Sequence, residues 1–387
     1  MRGILGKDSE EISEILIKLG EKIIPRINQV TSEVSNLLVG LNGGYIPAGP
    51  SGAPTRGMID VLPTGRNFFS VDVRAIPSKW SWEIGSRLGD ELLKKYHEDK
   101  GEYPESIGIV IWGTSTMRTQ GDDIAEVFYL LGVKPIWELE SGRLGGLEVL
   151  SLEELGRPRI DVTVRMSGFF RDAFPNIVKL MAEAVRMVSE LDEPEEMNFV
   201  AKHFKKEMQK RIARGEDVAS AKKKSLYRVF GSSPGTYGAG LLNLMHSRNW
   251  KDDNDLAKVY LTWGGYAYDE DVYGEKAEEE FKDRLREVDV AVKNQDNREH
   301  DIFDSDDYFQ EHGGMIASIR ALTGVNPEAY FGDSSNPDLV KVRGLKDEAR
   351  RVFRTRVINP KWIKSIMKHG YRGAMELAAT IDFMFGY

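Results

Sequence analysis

The stretch from Asn294 to Gly314 gathers groups that could bind a metal ion or transfer a proton. Its sequence, NQDNREHDIFDSDDYFQEHGG, holds two of the six histidines of the chain among carboxylates, amides and an arginine. Imidazole and carboxylate groups together suit first-row divalent ions such as cobalt, nickel, zinc or iron, and both can accept protons near neutral pH. The stretch is therefore a candidate metal or proton-transfer site.

The same residues also fit the acidic start of a helix on a solvated loop. Asp304 can cap such a helix, and acids in its first turn complement the helix dipole. At 100° per residue, His312 falls on the apolar side with Phe309, whereas Asp307 and Glu311 point away. A buried imidazole without a partner costs about 1–3 kcal/mol. His312 should therefore have a hydrogen bond, a metal ion or a ligand, and a core histidine with a hydrogen bond is an equal alternative.

The known single-segment metal motifs do not match this chain. An EF-hand would need a ligand where Tyr308 stands, and the helical HExxH pattern is absent. The sequence contains no cysteine, which excludes disulfides, thiolate zinc sites and a cysteine nucleophile. A metal site would have to be assembled from separate loops.

Composition and charge narrow the class of protein. The 387 residues are 41% hydrophobic and 29% charged, as in ordinary globular proteins, and are enough for more than one domain. The formal net charge of −8 argues against a general nucleic-acid binder, although it leaves room for a local basic pocket. No apolar run reaches the roughly 18 residues of a membrane span, and the start lacks the apolar core of a signal peptide. We expect a cytoplasmic protein with no membrane or nucleic-acid partner.

Short β-rich runs alternate with glycine-containing loops and helices from about Ser81 onward. This order predicts an α/β fold: lobes built on parallel sheets with flanking helices, of the three-layer α/β/α type. Ligands of such sheets gather at the loops that follow the carboxyl ends of the strands. The predicted strands are Ile107–Trp112, Lys134–Trp137, Ile160–Val164, Tyr227–Phe230, Val288–Val292 and Glu328–Phe331.

Changes in pattern predict four segments. Residues 1–42 form a helical lead-in that breaks near Pro25, and residues 43–200 form a first α/β lobe with a Gly/Pro-rich entry loop. Residues 201–344 form a second α/β lobe that carries the candidate metal site. Residues 345–387 form a helical C-terminal segment that stops in an aromatic-rich run, and we expect it to be truncated.

Three further loops have residue types that could bind a ligand. The run from Gly231 to Gly240 could hold an anion on backbone N–H groups, but it lacks a Walker lysine and also fits a plain turn before a helix. Arg66 follows a Thr-Gly turn and could bind a carboxylate or form a salt bridge. In the WGGYAY run that contains Tyr266, paired glycines would allow a flat ligand to approach the backbone.

Several long strings resemble the large subunit of cobaltochelatase, whose superfamily includes the H subunit of magnesium chelatase. The resemblance extends from about Gly43 to Tyr387, and the members of the family are much longer chains. The histidine-bearing strings are more similar to the cobalt branch. The strings are GYIPAGP, VLPTGRN, TWGGYAY, NQDNREHD, SDDYFQEHGGM, GDSS and RRVFRTRVINPKW.

The resemblance implies ATP-dependent insertion of Co²⁺ into a corrin-ring precursor of the hydrogenobyrinic acid a,c-diamide type, in cobalamin biosynthesis. Insertion requires a metal-binding and proton-accepting set, and groups that hold the acidic macrocycle. ATP and Mg²⁺ would be used by separate AAA+ partner subunits of the cobalt- or magnesium-chelatase kind, in agreement with the missing Walker motif. The expected catalytic residues are His300, His312, Glu299 and Asp304; the expected metal ligands are His300, His312, Asp301 and Asp304; and the expected substrate-binding residues are Arg66, Arg118, Arg298 and Tyr266.

Three alternatives stay open from the sequence. The chain could belong to a magnesium or nickel chelatase, or it could carry a tetrapyrrole without inserting a metal. It could also be an unrelated α/β module that binds a sugar or a nucleotide. Cobalt binding, ring binding and ATP binding would separate these possibilities.

Overall fold

The computed structural model describes residues 10–56, 58–298 and 300–387. They form two compact units. The first unit takes the residues up to Asp72 together with Met117–Thr119, and the second takes Val73–Thr116 and Gln120–Tyr387. None of the helices in these ranges has both the length and the apolarity that crossing a bilayer requires.

The first unit begins with helical segments and continues into the Gly/Pro-rich run. Pro25 stands in the first turn of a helix, where its missing N–H has no acceptor to lose. Ile23 and Ile24 keep helical dihedrals, so the chain stays helical through Pro25, and the break predicted there falls instead at the turn of residues 29–31. Two short strands pair in parallel. The elements are α1 (Glu10–Ile17), a π-helical turn (Lys18–Ile23), α2 (Ile24–Asn28), α3 (Ser32–Leu41), β1 (Ala48–Pro50), 3₁₀ turns at Pro54–Arg56 and Ile59–Val61, and β2 (Asn67–Phe69).

Helix α3 holds the Gly/Pro-rich run in place through its side chains. The Ser32 hydroxyl donates to the Thr64 carbonyl at 2.8 Å, and the Asn36 amide donates to the Gly65 carbonyl at 2.8 Å. Gly65 has φ +81°, and a Cβ there would lie 2.5 Å from the Glu33 backbone. Only glycine fits this close approach, and the contacts with α3 fix the path of the run between its short strands.

The second unit is built on one eight-stranded mixed sheet with the strand order β12-β11-β10-β3-β6-β7-β8-β9. The five strands from β11 to β7 in this order are parallel, and β12, β8 and β9 are antiparallel to their neighbours. Strands β4 and β5 form a separate antiparallel pair. The bounds are β3 (Ser106–Ile111), β4 (Val133–Trp137), β5 (Leu144–Val149), β6 (Asp161–Met166), β7 (Val229–Gly231), β8 (Tyr266–Asp269), β9 (Val272–Lys276), β10 (Val290–Gln295), β11 (Glu328–Asp333) and β12 (Lys341–Gly344).

Helices connect and flank these strands. They are α4 (Lys79–Lys100), α5 (Gly113–Thr119), α6 (Asp122–Leu131), α7 (Leu152–Leu155), α8 (Gly168–Ala173), α9 (Pro175–Ser189), α10 (Phe199–Ala213), α11 (Val218–Ser225), α12 (Leu241–Ser247), α13 (Asp253–Gly264), α14 (Glu278–Arg286), α15 (Gly314–Thr323), α16 (Leu345–Val352), α17 (Pro360–Ile366) and α18 (Gly370–Gly386). Shorter turns are 3₁₀ at Val73–Ala75 and Met367–His369, and π-helical at Tyr308–Gly313 and Phe353–Val357.

Helix α4 shows how the sequence sets one element and its packing. Ser78 and Ser81 form a reciprocal capping box at its start, and Gly101 ends it in the left-handed conformation. A Cβ at Gly85 would lie 2.6 Å from the Cβ of Ala125 on α6. The small residue therefore allows the two helices to pack in direct backbone contact.

The core forms around the parallel strands. Every residue of β3, β6 and β10 is buried, as expected for central strands covered on both faces. The α/β class with a largely parallel sheet and flanking helices is confirmed. The division near residue 200 is corrected, because β3 and β6 from the first predicted lobe and β7, β10 and β11 from the second lie in a single sheet.

Candidate functional site

Polar side chains meet at the carboxyl ends of β10 and β11. In the strand register, Asn294 faces Gly332 and Gln295 faces Asp333. The Lys293 ammonium donates to the Asn294 carbonyl at 2.9 Å and lies 4.2 Å from the ring centroid of Trp112, which follows β3. Since the carboxyl ends of parallel strands share one edge of the sheet, these residues occupy the place where α/β proteins bind ligands.

His300 is the exposed imidazole at this edge. Its Nδ1 lies 3.2 Å from Asp304 Oδ2, while Asp304 Oδ1 accepts from Arg356 Nη2 at 2.8 Å. The imidazole is 65% exposed, whereas Arg356 is buried. A histidine that donates its Nδ1–H to a carboxylate presents Nε2 for a metal ion or a proton. The geometry therefore orients His300 as a single accessible ligand or base.

The two aspartates next to His300 are held by an arginine of the C-terminal segment. Arg356 pairs with Asp304 and also, through Nη1 at 2.9 Å, with Asp301 Oδ2. Within the described ranges no three His, Asp or Glu side chains are arranged to hold a metal ion. Glu299 lies outside the described residues. The predicted four-ligand site is therefore corrected: Asp301 and Asp304 bind Arg356.

His312 lies in the core, and its predicted role as metal ligand is corrected. Its Nε2 is 3.0 Å from the Ala291 carbonyl, its Nδ1 is 3.3 Å from the Tyr387 hydroxyl, and its ring packs edge-on against Phe331. Burial lowers the pKa of His312 from 6.5 to about 4, so the ring is neutral. Both ring nitrogens have partners, and the expected hydrogen-bonded core histidine is what the structure shows.

A π-helical turn at Tyr308–Gly313 changes the directions that ideal helical spacing predicts. Its residues Tyr308 to His312 are all buried. Glu311 was expected to point away from the core, but it lies 3.4 Å from the buried Arg165 on β6. Burial raises the pKa of Glu311 and Arg165 opposes this rise. The extra residue in the turn places the carboxylate and the imidazole on the buried side together.

Arg298, predicted to hold the macrocycle, is occupied by acids of its own chain. Its Nη2 pairs with Asp333 Oδ2, and its Nη1 lies 3.9 Å from Glu348. Arg343 pairs with Asp333 as well, at 2.9 Å. Arg298 is therefore engaged with acids that it shares with other arginines of the chain, and its binding of the macrocycle stays a prediction.

The other predicted substrate-binding residues lie elsewhere. Arg66 donates to the carbonyls of Asp60 and Val61, at 2.6 and 2.9 Å, and lines a cavity of about 270 Å³ in the first unit. Arg118 is in the last turn of α5, in the portion that belongs to the first unit. Tyr266 begins β8, half-buried, and its backbone pairs with Gly231 at the end of β7.

The chain matches the family model for CobN/Magnesium Chelatase over residues 4–387. It belongs to this family. It is 48% identical over 375 residues to the aerobic cobaltochelatase subunit CobN of Pseudomonas aeruginosa, covering 97% of this chain and 30% of that protein. It is 34% identical over 384 residues to the chloroplastic magnesium-chelatase subunit ChlH of Oryza sativa subsp. indica, covering 98% of this chain and 27% of that protein.

A solved structure shares the fold across almost the whole chain. The catalytic subunit of cobaltochelatase from Mycobacterium tuberculosis is 51% identical, with a TM-score of 0.91, over 98% of this chain and 32% of that one. The chain thus spans about 30% of the length of the curated relatives it matches. The predicted resemblance to the family is confirmed.

Sequence reasoning missed a buried acidic group beside the same edge of the sheet. Asp122, Asp123 and Glu126 lie in the first turns of α6 and are all buried. The Asn294 amide donates to Asp123 Oδ1 at 2.9 Å and to Glu126 Oε2, and the Ser334 hydroxyl donates to Asp122 at 3.1 Å. A carboxylate inside the apolar run IAEVF was the signal that could have identified Glu126.

Within this group, Glu126 has a strongly raised pKa. Burial raises the pKa of Glu126 to about 8, although the hydrogen bond from Asn294 opposes the shift. The charges of Asp123 and Asp122 raise it further, and Lys293 lowers it. This family member therefore combines one oriented, exposed imidazole with a buried acid, Glu126, that can hold a proton at neutral pH.

Proposed function

We propose that this chain is part of the large subunit of an ATP-dependent cobaltochelatase. In this proposal it inserts Co²⁺ into a corrin-ring precursor of the hydrogenobyrinic acid a,c-diamide type during cobalamin biosynthesis. Family membership supports the chelatase chemistry. The 48% and 51% identities to cobaltochelatase subunits, against 34% to a magnesium-chelatase subunit, favour cobalt. The observation that carries the chemical role is the oriented, exposed imidazole of His300.

Metal insertion needs a group that replaces water on the ion and a group that removes the two pyrrole N–H protons. His300 Nε2 can do either, because Asp304 accepts the hydrogen bond from Nδ1–H and fixes the tautomer. Arg356 in turn fixes Asp304. The carboxylate also stabilises the imidazolium that would form if His300 takes a proton.

The macrocycle carries acidic side chains, and cations with fewer acidic partners are the better candidates for binding them. Arg66, whose guanidinium donates to two backbone carbonyls, is proposed for this role. Arg118 is kept as a proposal from the family resemblance alone. Tyr266 is proposed to lie against the ring face. Arg298 would first have to leave Asp333 to bind the macrocycle.

ATP hydrolysis is assigned to AAA+ partner subunits, which would bind ATP and Mg²⁺. The absence of a Walker sequence from this chain supports that assignment. The proposed location of the complex is the cytoplasm.

Calorimetric titration of Co²⁺ into the chain tests the role of His300. We expect His300→Ala to weaken Co²⁺ binding at least tenfold, about 1.4 kcal/mol. Asp304→Asn should cause a smaller loss, since the ring remains but its orientation is freed. His246→Ala, at another exposed histidine, is the matched control and should leave the affinity unchanged. Equal affinities for the wild type and His300→Ala would refute the assignment.

A magnesium chelatase is the second candidate, because the 34% identity to the rice subunit covers 98% of the chain. Titration with cobalt, nickel and magnesium under the same conditions separates the branches, and binding of magnesium alone would replace cobalt. A shift of the Soret band of an added porphyrin, without metal insertion when AAA+ partners and ATP are supplied, would instead indicate a tetrapyrrole carrier.

A further inference from the structure

The last part of the chain has a charge opposite to that of the whole. Residues 341–372 contain eleven lysines and arginines and two acids, a local charge of +9 in a chain of net charge −8. The remaining residues therefore sum to −17. A concentration of one sign in a chain dominated by the other indicates a surface that meets a charged partner.

Some of these cations are used inside the fold. Arg351 is bound to the buried Glu348, Arg343 to Asp333, and Arg356 to Asp301 and Asp304. Each guanidinium has at least one carboxylate within 3 Å. The Arg351 pair lies within α16, Arg343 joins β12 to β11 and also lies 3.6 Å from Glu348 on α16, and Arg356 joins the turn after α16 to the loop that follows β10. Because these guanidinium groups are engaged with acids of the chain, they are not counted in the docking surface.

The exposed cations form a second set with no such role. Arg354, Lys361, Lys364 and Lys368 are exposed and have no ion pair with any described acid. Arg350 pairs only with the exposed Asp347, at 3.2 Å. An exposed pair of this kind contributes little to stability.

These five cations, the basic face, lie on elements that pack against one another. Helix α16 contacts the π-helical turn Phe353–Val357, which contacts α17. On α17 and the turn after it, the three lysines of the basic face have helical spacing i, i+3 and i+7, which places them on one side. A concave surface of about 430 Å³ lies at the arginine end, lined by Asp347, Arg350, Arg351, Arg354 and Thr355.

Apolar side chains are exposed among these cations. Phe353, Ile358 and Met367 are 39%, 53% and 66% exposed. A small anion would need cations that converge on one point, whereas these are distributed along two helices and carry apolar groups between them. This mixture matches the composition of protein interfaces, in which an apolar centre is accompanied by complementary charge.

We propose that the basic face is the docking surface for an acidic segment of a partner protein. The charge of −17 on the rest of the chain favours a compact acidic partner over an extended polyanion, because DNA or an anionic bilayer would also approach the acidic surface and be repelled. This proposal does not depend on the identity of the inserted metal.

The test is fluorescence anisotropy with a short fluorescein-labelled peptide of glutamate and aspartate interspersed with leucine. We expect the chain to bind it, with an affinity that falls as NaCl concentration rises. The variant Arg354→Glu/Lys361→Glu/Lys364→Glu should bind at least about tenfold more weakly. The matched control Lys79→Glu/Lys205→Glu/Lys258→Glu makes the same change of charge at exposed lysines elsewhere and should stay within about twofold of wild type.

A milder variant keeps the test valid if the charge reversal disturbs folding. Lys361→Gln/Lys364→Gln/Lys368→Gln removes positive charge without adding negative charge, and should weaken binding of the peptide by about threefold or more. Equal losses of peptide affinity in the basic-face and control variants would overturn the proposal, because binding would then depend on the net charge of the chain and not on this surface. Tighter binding of duplex DNA or phosphatidylserine vesicles than of the peptide at the same salt concentration would overturn it in favour of those ligands.

Discussion

The two ends of the parallel strands bury charge in opposite ways. At the amino end, Asp161 accepts from Arg228 at 2.8 Å and from Arg284 at 2.6 Å, and it contacts His203 at 2.9 Å. Although burial alone would raise it, the two arginines hold the pKa of Asp161 far below its usual range. At the carboxyl end, the acid Glu126 shares an asparagine with Asp123, and its pKa is raised.

The difference separates residues that hold the sheet together from residues that can change protonation. An ion pair with a full set of partners keeps its charge over the whole physiological pH range. A buried acid that lacks a cation at hydrogen-bonding distance gives up its charge, and it can therefore exchange a proton near neutral pH. The carboxyl end is also where the exposed His300 lies. The proposed chemistry of His300 and the perturbed Glu126 thus share one edge of the sheet, and we expect the ion-paired Asp161 at the amino end to contribute stability.

The largest effect on stability should come from breaking the amino-end network, that is, Asp161 with Arg228, Arg284 and His203. Asp161→Asn removes the negative partner of two buried arginines, and we expect a loss of about 3–5 kcal/mol in the free energy of unfolding, measured by chemical denaturation. Glu270→Gln breaks an exposed ion pair with Arg186 and should cost under about 1 kcal/mol. If the two substitutions have equal costs, the amino-end network is not the stabilising one.

His312→Ala should be the next most destabilising change, at about 2–4 kcal/mol, because it leaves a cavity and removes the contacts of the ring with the Ala291 carbonyl and the Tyr387 hydroxyl. In the wild type, the folded state binds fewer protons at His312 than the unfolded chain between pH 6.5 and 4. Stability should therefore fall as the pH drops through this window, and the variant should lack that component. Co²⁺ affinity per folded molecule should not change; a large loss would restore His312 as a ligand.

The pH dependence of stability that Glu126 causes should have the opposite sign to that caused by His312, and Glu126→Gln should remove it. The folded state retains a proton on Glu126 that the unfolded chain releases between pH 4.5 and about 8, so wild-type stability should decrease as the pH rises through that range. The amide removes this dependence and should raise stability at pH 8 by on the order of a few kcal/mol. Thermal melting at pH 5 and pH 8 measures it. An unchanged slope of stability against pH would show that Glu126 does not carry this proton.

The smallest effect on stability is expected at His300. The side chain is exposed and makes one contact with Asp304, so His300→Ala should change the free energy of unfolding by less than about 0.5 kcal/mol. The substitution should reduce the affinity for the metal ion and leave stability unchanged. A melting temperature far below that of the wild type would show that His300 holds the loop in place.

The elements with strong local signals were predicted correctly from the sequence. The apolar runs at Ile107–Trp112 and Glu328–Phe331 correspond to the strands β3 and β11 of the sheet. The buried position of His312 followed from helical spacing as well. These features depend on residues that are close together in the sequence.

The errors arose where long-range contacts decide the outcome. Strand pairing between β3 and β10, about 180 residues apart, joins the two predicted lobes, and no local pattern encodes it. The partners of Asp304 and His312, namely Arg356 and Tyr387, come from the C-terminal segment. A carboxylate with a distant arginine and a carboxylate with a metal ion have the same appearance in a sequence.

In the π-helical turn at Tyr308–Gly313, the directions of the side chains depend on the number of residues in the turn. Deleting one residue from it would restore ordinary α-helical spacing, rotating everything before the deletion by about 100° against the helix that follows. Glu311 and His312 could then no longer reach Arg165 and Ala291 at once. Homologues of different length in this turn should therefore conserve one of these two buried contacts and lose the other.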